Sequence, residues 1–78
     1  MRDYRLYLED IQSSVQKIEK FTKGLPLQEF QEDALVTDAV IRNLEVIGEA
    51  SKNIPDKIKK RYPDIEWEKI IALSNILV

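Results

Sequence analysis

The sequence predicts a small all-α domain, an antiparallel helical bundle that forms a dimer. Apolar residues recur at spacings of three and four through most of the chain, and no segment sustains the alternation of a strand. Gly24, Pro26, Pro55 and Pro63 fall at the breaks between these runs, and the short connections favour antiparallel neighbours. The 78 residues read as a single domain over positions 1–78. At this size only roughly 60 to 65% of the unfolded surface is buried on folding, so oligomerisation is a natural supplement to stability.

The first helix is predicted from about Asp3 to Thr22. Tyr4, Leu8, Ile11, Val15, Ile18 and Phe21 form one apolar face, widened by Tyr7, opposite Glu9, Asp10, Gln12, Ser13, Gln16 and Lys17. Gly24 and Pro26 end it, because Gly tolerates the left-handed cap and Pro drives its predecessor out of the helical region. A short turn over Leu27 to Phe30 is expected to plug Leu27 and Phe30 into the core. Asp33 then suits the N-cap of a long central helix reaching about Asn53.

The apolar residues of that central helix, from Leu35 and Val36 through Leu44 and Ile47 to Ile54, cover more than one stripe. Such a helix is sandwiched between partners, within the chain or across a dimer. Gly48 costs about 1 kcal/mol of helix propensity relative to Ala, which argues for a packing reason at that position. Pro55 opens a short charged helix, Asp56 to Tyr62, with Ile58 and Tyr62 facing inward. After Pro63 and Asp64, Trp67 enters a final helix whose buried side includes Trp67, Ile70, Ile71, Leu77 and either Leu73 or Ser74. The run Ile70 to Val78 stops with no Gly or basic residue past it to cap the last carbonyls. That ending reads as a fragment or shortened form of a slightly larger domain, with an exposed apolar tip at Ile76, Leu77 and Val78.

Composition narrows the function classes. The 12 basic and 14 acidic residues are well mixed and give a net charge of −2, which argues against a broad duplex-binding face. There is no Cys and no His, so thiolate chemistry is excluded and the usual neutral-pH base and commonest metal ligand are missing. No apolar run approaches a membrane span and no signal segment follows Met1, so a cytoplasmic protein without membrane contact is expected.

The candidate functional residues are Arg42, Glu45, Glu49, Trp67, Ser74 and Asn75, all as interface or groove positions, and no catalytic residue is assigned. Arg42 shares a helix face with Asp38, Glu45 and Glu49, as either a solvated charge ladder or a semi-buried constellation at a subunit contact or groove. Glu45 and Glu49, one turn apart, could join a larger carboxylate set, but without His no metal or other cofactor is expected. Lys52, Lys57, Lys59, Lys60 and Arg61 form the densest basic stretch, the wet side of a short helix or a phosphate contact. Trp67 reads as core or the cap of a core, with an interface anchor as its alternative. Ser74 and Asn75 read as the solvent or interface side of the last helix. A nucleophilic role for Ser74 would need a base and an orienting group that the sequence does not offer.

Three stretches carry a resemblance: Arg5-Leu6-Tyr7-Leu8-Glu9-Asp10-Ile11, the central run Asp38-Ala39-Val40-Ile41-Arg42-Asn43-Leu44-Glu45-Val46-Ile47-Gly48-Glu49-Ala50, and Tyr62-Pro63-Asp64-Ile65-Glu66-Trp67 with Ile70-Ile71. They resemble the HepT-like proteins of the HEPN superfamily over essentially the whole chain, which looks like the first two thirds of a member. The resemblance implies a dimeric helical ribonuclease toxin whose antitoxin partner is a minimal nucleotidyltransferase. It also implies an Arg and a His acting together in a cleft at the dimer interface, followed by a Tyr that the antitoxin modifies. Ser74 falls where that Arg is expected, and the His and Tyr would fall beyond Val78. The chain is therefore expected to be a degenerate or truncated toxin domain without ribonuclease activity as it stands. The competing expectation is a non-catalytic helical module that pairs with a nucleotidyltransferase.

Overall fold

The computed structural model describes residues 2–77 and is all-helical over them. Helix α1 spans Tyr4–Thr22, α2 Leu27–Glu32, α3 Ala34–Lys52, α4 Asp56–Lys59 and α5 Trp67–Leu77. The all-α expectation therefore holds, and α3 starts at the Asp33 cap read from the sequence, while Asp3, expected only as the approximate start of the first helix, caps α1. Asp3 Oδ1 accepts from the Arg5 amide at 2.9 Å, and Asp33 Oδ1 accepts from the Val36 amide at 3.1 Å. Gly24, with φ of 71°, takes the left-handed turn that ends α1. Asn53 closes α3, its side-chain amide donating to the Glu49 carbonyl at 2.9 Å.

Arg5 forks onto the Asp3 carboxylate at 2.6 and 3.1 Å. This fork, with the Arg5 backbone amide, pulls the Asp3 carboxyl from its ordinary 3.8 down to about 2. The contribution of this cap is thus fully present above about pH 4 and is lost as the pH falls toward about 2.

Helix α3 is the centre of the molecule, with α1 on one side and α5 on the other. The start of α1 lies beside the end of α3, with Tyr7 and Asp10 facing Glu49 and Asn53, so that pair is antiparallel. The two apolar sides of α3 thus meet α1 and α5 inside one chain, although Leu35 in its first turn stays exposed. Val40, Ile47, Ala50, Ile54 and Ile58 form the buried apolar core. Interleaved with them are small hydroxyl residues: Ser14 of α1, Ser51 of α3 and Ser74 of α5 are all buried. Ser51 Oγ donates to the Ile47 carbonyl at 2.7 Å, as a hydroxyl inside a helix must when no water reaches it.

The α3–α5 crossing explains Gly48. A methyl built there would overlap Cβ and Oγ of Ser74 and sit 3.3 Å from its Cα, so the absence of a side chain sets how closely the two helices meet. The packing reason expected from the sequence is present, and its partner is Ser74.

Several expectations are corrected. Ser74 is not on a solvent or interface side; it is 1% exposed, and Leu73 takes the outer position instead. Leu27 is 70% and Leu35 84% exposed, because a helical period marks what a helix could bury, while neighbours decide what it does bury. Helix α2 is held at its C-terminal end, where Thr37 Oγ1 donates to the carbonyls of Phe30 and Asp33 at 2.8 Å, so its first turn stands free. Helix α4 ends at Lys59 rather than Tyr62, and Tyr62 is exposed, since Pro63 disfavours a helical residue before it. In α1, Val15 and Phe21 lie on the exposed edge while Ser14 is buried. Of the expected apolar tip, Ile76 is 79% exposed and Val78 lies outside the described residues. No helix of the described residues is long and apolar enough to cross a membrane.

Candidate functional site

The central charges gather where α1 meets α3. A groove of about 520 Å³ is lined by Arg2, Tyr7 and Asp10 from the first segment and by Arg42, Glu45 and Glu49 from α3. Successive turns of α3 present these three residues to the groove because they recur at three and four residues. Arg42 is nonetheless 75% exposed, and its nearest carboxylate oxygen, on Glu45, is 3.9 Å away. Such a pair contributes at most a few tenths of a kcal/mol. Asp38, expected on the same face, makes no ion pair among the described residues.

The opposite wall is better organised. Arg2 donates to Asp10 at 2.9 Å and lies 4.7 Å from the Tyr7 ring centroid, combining an ion pair with a cation–π contact. The hydrogen bond to Asp10 holds the Arg2 guanidinium above its ordinary range.

Asn75 connects α5 to this face. Lys52 Nζ donates to Asn75 Oδ1 at 2.6 Å and to Glu49 Oε1 at 2.9 Å, forming an exposed chain of polar contacts from α3 to α5. Ser74 points the other way, into the crossing with Gly48, and its Oγ is the buried side-chain polar atom without a hydrogen-bond partner among the described residues. Adjacent residues on a helix lie about 100° apart, so these two cannot share one role.

Trp67 belongs to a different place. It is half-buried at the start of α5, its Nε1 donates to the Tyr62 carbonyl at 3.3 Å, and it lines a second groove of about 720 Å³ with Lys59, Lys60, Pro63 and Ile65.

The six candidate positions thus divide into three sets. Arg42, Glu45 and Glu49 share the α1–α3 groove, Asn75 reaches its edge through Lys52, and Ser74 and Trp67 stand apart from it. Sequence reasoning missed Arg2 and Asp10 as groove residues and Lys52 as the bridge. Arg2 and Asp10 are eight residues apart and Lys52 and Asn75 twenty-three apart, beyond any local pattern. The carboxylates of the groove find no further His, Cys, Asp or Glu placed to complete a metal site among the described residues.

Comparison with known proteins gives a consistent result. A family model described as ribonuclease HepT-like matches residues 11–78. A probable ribonuclease HepT of Thermococcus cleftensis is 42% identical over 77 residues, which cover 99% of this chain and 70% of that protein. A putative RNase of Methanocaldococcus jannaschii, MJ1380, is 38% identical over 99% of this chain and 71% of its own length. A gamma-glutamylcyclotransferase and putative RNase of the same organism, MJ0434, is 36% identical over 99% of this chain but only 35% of its own length. No solved structure gives a significant match.

Proposed function

This chain belongs to the ribonuclease HepT-like family, and on that premise we propose that it is a toxin-type domain of a toxin–antitoxin pair that does not cleave RNA as a 78-residue chain. The observation that carries this reading is the burial of Ser74 against Gly48. Metal-independent cleavage through the 2′-hydroxyl needs a group to take its proton and a cation to stabilise the charge developing on phosphorus. The resemblance puts the cation at position 74, where a neutral serine is turned away from solvent. The chain has no His to take the proton. Arg42 does not substitute for the missing cation: it is exposed, and Glu45 is its nearest charge.

Purified protein in EDTA is expected to leave a long single-stranded RNA intact. Metal-free cleavage that co-purifies with the protein and disappears in Arg42→Ala would overturn this reading, because it would make Arg42 the cation that the proposal says is absent.

A second reading is a non-catalytic module that pairs with a nucleotidyltransferase, and the two readings differ in what covers the outer face of α5. Leu73 and Ile76 are both exposed there, more apolar surface than a helix end in water needs. The first reading puts a second copy of the chain on that face, giving a cytoplasmic homodimer, and the second puts the nucleotidyltransferase there. Light scattering at micromolar concentration is expected to give the mass of two chains, falling to one in Ile76→Lys. A monomeric wild type would favour the heterologous partner.

A further inference from the structure

We propose that the corner where α2 meets the first turn of α3 is a docking surface for a basic segment of a different polypeptide, with an apolar side chain of that segment on Leu35 and its lysines or arginines on Glu29, Glu32 and Asp33. The inference goes beyond the ribonuclease-family reading: it needs no RNA, and it holds whichever molecule covers the outer face of α5.

Charge supplies the first argument. Positions 24–41 carry four carboxylates, Glu29, Glu32, Asp33 and Asp38, and no Lys or Arg. The segment alone is therefore more negative than the whole chain, whose net charge is −2. The carboxylates in ion pairs among the described residues are those of Asp3, Asp10, Glu45, Glu49 and Glu66, so none of these four has a cation. Lys20 and Lys23, at the end of α1, come next in sequence and make no ion pair with them. A local excess of one sign steers in a partner of the other sign and repels nucleic acid and anionic lipid alike.

The apolar surface supplies the second argument. A shallow hollow of about 390 Å³ at this corner is lined by Glu29, Glu32, Asp33, Ala34 and Leu35, three carboxylates beside an alanine and a leucine with no cation. Leu35 is the most exposed large apolar side chain among the described residues, and Leu27 stands free on the first turn of α2. An apolar centre with a polar rim is the make-up of a protein–protein contact. The corner is also set before a partner arrives. Thr37 Oγ1 ties the carbonyls of Phe30 and Asp33 at 2.8 Å, and Asp33 Oδ1 holds the Val36 amide at 3.1 Å. The carboxylates are not placed to hold a metal ion among the described residues, so the cation they suit is a side chain. A second copy of this chain fits less well, because Ile58, the apolar residue among the cations of positions 57–61, is buried in its own core and cannot reach Leu35.

The probe is a fluorescein-labelled amphipathic peptide of leucine and lysine, about four helical turns long, titrated into the isotopically labelled full chain. Amide shifts are expected over residues 27–38 and not over α5, and the rise in peptide anisotropy is expected to shrink between about 50 and 200 mM salt. Leu35→Ser, at an exposed position that leaves the urea midpoint unchanged, is expected to weaken the peptide about tenfold. Glu29→Gln combined with Glu32→Gln is expected to weaken it and to flatten the salt dependence. A leucine–glutamate peptide of the same pattern is expected not to bind. Unchanged affinity in Leu35→Ser would reduce the corner to a diffuse charge effect, and shifts centred on Leu73 and Ile76 would move the partner to α5. A lower oligomeric mass in Leu35→Ser would put a second copy here. Each of these results overturns the proposal, as does the absence of binding at about 50 mM salt.

Discussion

Ser74→Arg is expected to abolish cooperative folding or to lower the urea midpoint by more than half, although it restores the residue that the family resemblance expects. Ser74 is 1% exposed and its Cβ lies where a Gly48 side chain would have to go. An arginine there must either push α5 off α3 or bury a guanidinium with no carboxylate waiting for it. Overpacking alone costs about 1–3 kcal/mol, and an unpaired buried charge several more. A domain of this length has only ~4–12 kcal/mol in total. Ser74→Ala supplies the control. Its Oγ has no partner, so removing it is expected to leave the midpoint unchanged or raise it slightly. Circular dichroism in urea separates the two. A Ser74→Arg protein with the wild-type midpoint would show that position 74 faces outward, and the account of the α3–α5 crossing would fail with it. Gly48→Ala approaches the same atoms from the other helix: the gain of about 1 kcal/mol in helix propensity is set against about 1–3 kcal/mol of overlap, leaving a net loss.

That crossing also marks the limit of what the sequence could convey. Gly48 announced itself, because a glycine inside a helix is costly and a cost implies a reason. Ser74 did not, because a small polar residue among apolar ones fits a wet face and a tight crossing equally well. Only its partner, twenty-six positions away, decides between them. The same limit accounts for Leu27 and Leu35: their periodicity was legible, but the reach of the neighbouring helices was not.

Caps were readable wherever the chemistry is local. Asp33 and Asn53 bound α3 as their side chains suggest, since an Asp or Asn oxygen or amide serves backbone groups within one turn. The candidate site divides along the same line. Arg42, Glu45 and Glu49 were placed together because one helix carries all three, whereas the Arg2–Asp10 wall and the Lys52–Asn75 bridge depend on tertiary packing. The family resemblance expects an arginine at position 74, where this chain has serine. The structure adds that the Ser74 side chain points into the bundle against Gly48.

Ile54→Ala is expected to cost about 2–5 kcal/mol, the usual range for truncating a well-buried isoleucine. Ile54 is 2% exposed, the most buried apolar side chain among the described residues, and it lies between the Asn53 cap of α3 and Pro55. Helix α4 is a single turn, too short to hold itself. The buried side chains of Ile54 and Ile58 on either side of Pro55 are what fix that turn to the rest of the molecule. Lys59 and Lys60 follow on this corner and line one groove with Trp67, so loosening it changes the surroundings of the indole. Chemical denaturation is expected to register the loss of stability. Emission of Trp67, measured in conditions where the variant is still folded, is expected to shift in parallel, because the indole lines a groove with Lys59 and Lys60. A variant that loses stability yet keeps the wild-type emission would show that α4 is held by something other than the two isoleucines.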